Sequence, residues 1–145
     1  MDTCFSVWLV PQKNDEKELT SIIDNLAKEN DSPVFTPHLT LFGDTDIGFE
    51  DVKSAVDEVF ANQKPFTIKT QKVSKSELFF KTVFIEFDVN KTLRNLFQAF
   101  SERTDKRSID NFKPHISLMY KLMPEVEKLE IIESLKIKDE FTIDS

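Results

Sequence analysis

The two histidines of this 145-residue chain lie in two copies of one phrase. Phe35-Thr36-Pro37-His38-Leu39-Thr40-Leu41 is echoed by Phe112-Lys113-Pro114-His115-Ile116-Ser117-Leu118. The shared pattern is Phe-x-Pro-His-aliphatic-hydroxyl-Leu. An imidazole with an unperturbed pKa of about 6.5 gives or takes a proton near neutrality. On a strand, His38 and Thr40 share one face, while Leu39 and Leu41 point to the other. His115 and Ser117 relate to Ile116 and Leu118 in the same way. Two imidazoles and two hydroxyls facing one another could cleave a phosphate ester. One ring would take a proton from water and the other would give one to the leaving oxygen. The hydroxyls would steady the growing charge. A zinc site is poorly supported, because two histidines fall short of the three or four ligands zinc needs and no cysteine cluster helps.

The elements around the motifs can be read from pattern. Phe5 to Val10 is β-branched and aromatic and stops at Pro11, as a strand would. Asp15 to Asn30 has Leu19, Ile22, Ile23 and Leu26 on one helical face, with Asp15 and Glu18 placed as a capping box. Pro33 and Pro37 favour extended chain at Val34-Phe35 and at His38 to Phe42. Phe49 to Asn62 is helical in period, through Val52, Val56, Val59 and Phe60. A β region is expected over Phe66 to Val73, Leu78 to Phe80 and Val83 to Val89, read as two adjacent strands (Phe66–Val73 and Leu78–Val89) paired antiparallel. Lys91 to Lys106 is a third helix burying Leu93, Leu96, Phe97 and Phe100. Phe112 to Tyr120 is the second histidine strand. Pro124 suits the first turn of a fourth helix with Leu129, Ile132 and Leu135 inward. Asp139 to Ser145 closes with a strand.

The order is β-α-β-α-β-β-α-β-α-β, and the histidines stand 77 residues apart, about half the chain. Each half has a helix before its histidine strand and another after it. The expected fold class is α+β: two pseudo-symmetric lobes with the histidine strands side by side in a central cleft. Residues 1–145 would form a single bilobal domain.

Composition narrows the chemistry. Two glycines leave no room for a Gly-rich phosphate loop. The single cysteine, Cys4, excludes an internal disulfide and agrees with a reducing compartment. The start of the chain shows no signal peptide, and no apolar run reaches the length of a membrane span, so the expectation is a cytoplasmic protein without membrane contact. The net charge of −7 favours a small nucleotide over long nucleic acid. Lys69, Lys72, Lys75 and Lys81 form a loose group, read as a solvated strand edge. No cofactor is indicated, and a monomer is the default.

The twin His-x-Thr/Ser motif resembles the signature of the two-histidine (2H) phosphoesterase superfamily. The finer resemblance is to cyclic phosphodiesterases of the plant and yeast type. It runs through Ser6-Val7-Trp8-Leu9-Val10-Pro11, the two histidine phrases, Val73-Ser74, Phe79-Phe80, Val83-Phe84 and Met119-Tyr120, over nearly the whole chain. The resemblance implies metal-free hydrolysis of a ribose cyclic phosphate, either ADP-ribose 1″,2″-cyclic phosphate or nucleoside 2′,3′-cyclic phosphates. By position, His38, Thr40, His115 and Ser117 would be the catalytic quartet. Trp8, Phe80 and Tyr120 would line the substrate pocket, Tyr120 only if its strand twists or bulges. Relatives of this type continue with further strands after the position of Phe141-Thr142-Ile143. That implies a compact variant here, or a strand that is absent or supplied by a partner. The alternatives are an enzyme acting on RNA 2′,3′-cyclic phosphate ends or 2′-5′ linkages, and an inactive nucleotide-binding module on the same scaffold.

Overall fold

Among the described residues, alternating apolar and polar side chains build six strands, and i, i+3, i+4 apolar stripes build four helices, in the order expected. A computed structural model describes residues 5–45, 48–104 and 106–144. The strands are β1 (Phe5–Leu9), β2 (Leu39–Thr45), β3 (Phe66–Lys75), β4 (Val83–Phe87), β5 (His115–Met119) and β6 (Glu140–Ile143). The helices are α1 (Lys13–Asn30), α2 (Phe49–Phe60), α3 (Lys91–Arg103) and α4 (Glu125–Ser134). Cys4 and Ser145 lie outside the described residues.

The strands form one antiparallel sheet in the order β1-β2-β5-β4-β3-β6. The two histidine strands are therefore neighbours at its centre. Strand β3 serves two partners: Phe66 to Lys69 pairs with β6 and Thr70 to Lys75 with β4, with an irregularity between Thr70 and Lys72. The sheet curls so that β6 returns to the end of β1. Pro11 bridges Ile143, Gln12 N–H donates to Thr142, and Asp144 N–H donates to Val10.

The back of the sheet is sealed by apolar side chains. Leu39, Ile116 and Ile85 are fully buried there, and α1 contributes Leu19, Ile23 and Leu26. Helix α3 buries Leu93, Leu96, Phe97 and Phe100, with Phe42 of β2 against the Phe97 and Phe100 rings. Asn90 caps α3 by accepting from Leu93 N–H at 2.8 Å.

Four local expectations differ from the structure. Gln12, not Asp15, is the N-cap of α1, and Asp15 sits one turn in. Its buried carboxylate accepts from Thr142 N–H at 2.6 Å and pairs with Lys138. Asp15 is thus spent on a long-range tie to β6 rather than on its own helix end. Phe79–Lys81 is a 3-10 turn instead of strand. The fully buried Thr82 hydroxyl pins it by donating to Phe79 C=O at 3.0 Å and accepting from Lys121 N–H at 2.9 Å.

In α4, Leu129 is exposed and the buried residue is Lys128, whose ammonium donates to Ser76 C=O at 2.9 Å. Ile132 and Leu135 pack against the core as expected, and the long lysine stem is buried as well. Pro124 is the N-cap of that helix, just before its first turn. Finally, the lysine group is split: Lys72 and Lys75 lie where β3 pairs with β4 alone, while Lys81 belongs to the 3-10 turn. Lys72 pairs with Glu86 and Lys75 with Glu125.

Candidate active site

Antiparallel pairing sets the geometry of the quartet. Leu39 of β2 stands opposite Ile116 of β5. One step either way along that register places His38 against Ser117 and Thr40 against His115. Leu39 and Ile116 take the buried face, so all four polar side chains share the other. The neighbouring strands extend these rows. Trp8 pairs with Thr40, Glu86 with His115, and Phe84 with Ser117. The four sequence-predicted catalytic residues are thus brought together on one sheet face.

The repeated Pro-His has a structural reason. Each proline holds the residue before it in extended backbone. That residue's carbonyl then meets the imidazole Nδ1: Thr36 C=O at 2.9 Å for His38 and Lys113 C=O at 3.0 Å for His115. A carbonyl only accepts, so Nδ1 carries the proton in both rings. Each Nε2 is left to present a lone pair when neutral and a proton when charged. Pro114 C=O also accepts from Phe87 N–H at 3.1 Å, fastening this segment to β4.

The rings differ in surroundings. Trp8 stacks on His38 with centroids 3.6 Å apart and planes 14° from parallel. Phe84 meets His115 edge-on at 5.5 Å. Burial lowers the pKa of both imidazoles from the ordinary value, and the carbonyl bonds work against it. His115 is further lowered by the charges of Lys81 and His38 and raised by Glu86. Glu86 in turn accepts from the Ser74 hydroxyl at 2.7 Å and lies 3.6 Å from the Lys72 ammonium. The Ser117 hydroxyl donates to Phe80 C=O at 2.8 Å, tying the 3-10 turn to β5.

The aromatic residues are not core. Trp8 is 49% exposed and Phe80 68%. Tyr120 stacks on Phe35 at 3.7 Å and meets the Phe80 ring edge-on at 5.2 Å. The register of β4 on β5 slips between Val83 and Phe84, which supplies the irregularity Tyr120 needs. Burial raises the Tyr120 phenol pKa.

Thr40 and His115 share a cavity of about 480 Å³, whose wall continues to Arg107, Lys106 and Lys113. Arg107 is fixed there, donating to Gly43 C=O at 2.6 Å with its guanidinium 4.1 Å from the Phe42 ring centroid. A smaller apolar cavity of about 210 Å³ touches the site only through Trp8 and has no imidazole in its wall.

Pattern reading missed Phe35, Phe84, Glu86 and Lys81 as parts of this surroundings. Strand alternation from Phe84 to Glu86 carries a signal for two of them, but only once their partner strand is known. Among the described residues no cluster of three or more His, Cys, Asp or Glu side chains could hold a metal ion. No helix there is long and apolar enough to cross a membrane.

An antiparallel α+β fold with paired His-x-Thr/Ser strands defines the class of two-histidine phosphoesterases. The chain belongs to the cyclic phosphodiesterase-like protein family, whose model matches residues 1–144, and with that family to the phosphoric diester hydrolases. It is similar to a cyclic phosphodiesterase of Arabidopsis thaliana, 23% identical over 141 residues, spanning 97% of this chain and 75% of that protein.

Proposed function

We propose that this protein opens a ribose cyclic phosphate, ADP-ribose 1″,2″-cyclic phosphate or a nucleoside 2′,3′-cyclic phosphate, to a phosphomonoester. The observation that carries this reading is the cross-strand quartet with both Nδ1 atoms tied to carbonyls. A phosphate on that face meets two Nε2 atoms. His115 takes a proton from water as the water oxygen bonds to phosphorus. One ring P–O bond breaks, and His38 Nε2–H protonates the departing ribose oxygen. We assign the base to His115 because nearby Lys81 favours its neutral form. Thr40 and Ser117 face the non-bridging oxygens, Ser117 after its hydroxyl turns from Phe80 C=O. Trp8, Phe80 and Tyr120 offer ring faces to the base or ribose.

The test is a panel of ADP-ribose 1″,2″-cyclic phosphate and the four nucleoside 2′,3′-cyclic phosphates, with the product phosphate located by NMR. His38→Ala and His115→Ala should each lower kcat by about 10² to 10⁴. A chelator should change nothing. Turnover that survives both substitutions sinks the reading. The same reading takes the protein as a cytoplasmic monomer, checked by cell fractionation and light scattering.

One observation favours a second substrate, an RNA end bearing a 2′,3′-cyclic phosphate. The cavity beside Thr40 and His115 runs on to Lys106, Arg107 and Lys113, where further phosphates would meet cations. Much faster turnover of a cyclic-phosphate oligonucleotide than of the mononucleotide would select it.

A further inference from the structure

Lys81 was grouped by sequence with solvated lysines, yet its environment is the reaction face. Its turn is tied down on every side. Lys81 N–H donates to Leu78 C=O at 3.1 Å, and the Ser76 hydroxyl donates to Lys81 C=O. One residue back, Phe80 C=O accepts from Ser117 itself. One residue on, buried Thr82 locks the turn to Lys121. The lysine stem thus leaves a backbone fastened to both β4 and β5. Its ammonium lies 4.6 Å from the centroid of the Phe84 ring. Phe84 is the cross-strand partner of Ser117 and packs edge-on against His115. The charge therefore hangs over the row that ends at His38.

Its partner differs from those of several other lysines of the chain. Lys72, Lys75, Lys128 and Lys138 each have a carboxylate within 4.0 Å. Lys81 has none among the described residues; its contact is the Phe84 ring face. An aromatic face attracts a cation without neutralising it. The charge of Lys81 is felt at His115. A cation beside the imidazoles, without a counter-ion, is placed for an anion that arrives from solution. In the proposed reaction the one charge of the quartet, on the His38 imidazolium, is directed at the leaving oxygen, so the non-bridging oxygens meet only hydroxyl donors from the quartet.

We propose that Lys81 is a substrate-binding residue, its ammonium holding a non-bridging oxygen of the phosphoryl group seated between His38 and His115. This rests on the reading of the site as a phosphate-ester site. An ammonium on a flexible stem reaches such an oxygen as a point charge and needs no planar fit. Charge-assisted bonds of this kind exceed those of hydroxyls and oppose the charge that grows in the transition state.

The test compares wild type, Lys81→Gln and Lys81→Arg in two assays. The first is hydrolysis of a nucleoside 2′,3′-cyclic phosphate, with inorganic phosphate as competitor. Lys81→Gln should lower kcat/KM and weaken phosphate inhibition, each by about tenfold or more, and Lys81→Arg should restore most of both. The second is NMR titration of the two imidazoles without phosphate. The groups facing His115 are His38 of β2, Glu86 of β4 with its Lys72 partner on β3, and Lys81. Removing Lys81 alone takes away a repelling charge, so His115 should titrate at higher pH in Lys81→Gln. Inorganic phosphate should bind wild type more tightly than Lys81→Gln in the same titration. If kcat/KM, phosphate inhibition and the His115 titration all stay within twofold of wild type, the proposal fails. Lost activity with unchanged phosphate affinity would make Lys81 merely structural, and also overturns it. If wild type opens no cyclic phosphate, the functional reading fails, and the phosphate titration still judges Lys81.

Discussion

At the scale of single residues, the two imidazoles would control the pH dependence of the proposed reaction. Each is lowered from about 6.5 chiefly by burial, while its Nδ1 carbonyl bond pulls the other way. The proposed reaction needs one ring neutral and one protonated. As pH falls below the lower pKa the base is lost; as it rises above the upper pKa the acid is lost. Both values lie below the ordinary one, so kcat/KM should be bell-shaped with its maximum on the acid side of about 6.5. A maximum above neutrality, measured in constant-ionic-strength buffers, would contradict this. The quartet itself was legible in sequence because strand alternation is strict: a motif His-x-Thr or His-x-Ser must put both polar groups on one face. Lys81 was not legible. Its place depends on a turn pinned by Ser117 and, through Thr82, by Lys121, both distant in the chain.

At the scale of elements, the tie between α1 and β6 is the feature that patterns misassign. Asp15 looked like a cap for its own helix, but its carboxylate accepts from Thr142 N–H and pairs with Lys138, whose pKa is raised first by that bond. Asp15→Ala would leave a buried peptide N–H without its partner. The expected cost is about 1 to 3 kcal/mol, read as a lower urea midpoint with an unchanged slope. A change within about 0.5 kcal/mol would mean that the tie adds nothing. The periods of α1, α2 and α3 were readable because each buries a continuous apolar stripe. Helix α4 was legible in part: Ile132 and Leu135 pack against the core, while Leu129 is exposed and Lys128 buried. The lysine stem and its bond to Ser76 C=O are what hydrophobic period does not register.

At the scale of the molecule, strand β6 near the chain end and residues 10–12 near its beginning close the sheet together. Core side chains from both histidine halves belong to one cluster, from Val7 to Ile143. We therefore expect one folding unit. Far-UV circular dichroism and the fluorescence of Trp8 should follow a single coincident urea transition. Two separated transitions would show that the halves fold apart.

Sequence by itself determined the order of elements, the antiparallel middle pair, the adjacency of the histidine strands and the four polar residues of the site. Each follows from a pattern in the chain itself: period two, period 3.6, proline geometry or an internal echo of one phrase. Tertiary structure alone decided the register that sets His38 against Ser117, the stacking of Trp8 on His38, the Tyr120 and Phe35 pair, and the placing of Lys81 over the Phe84 ring beside His115. Those depend on which strands meet and at what offset. Long-range packing selects that offset, and no local pattern encodes it.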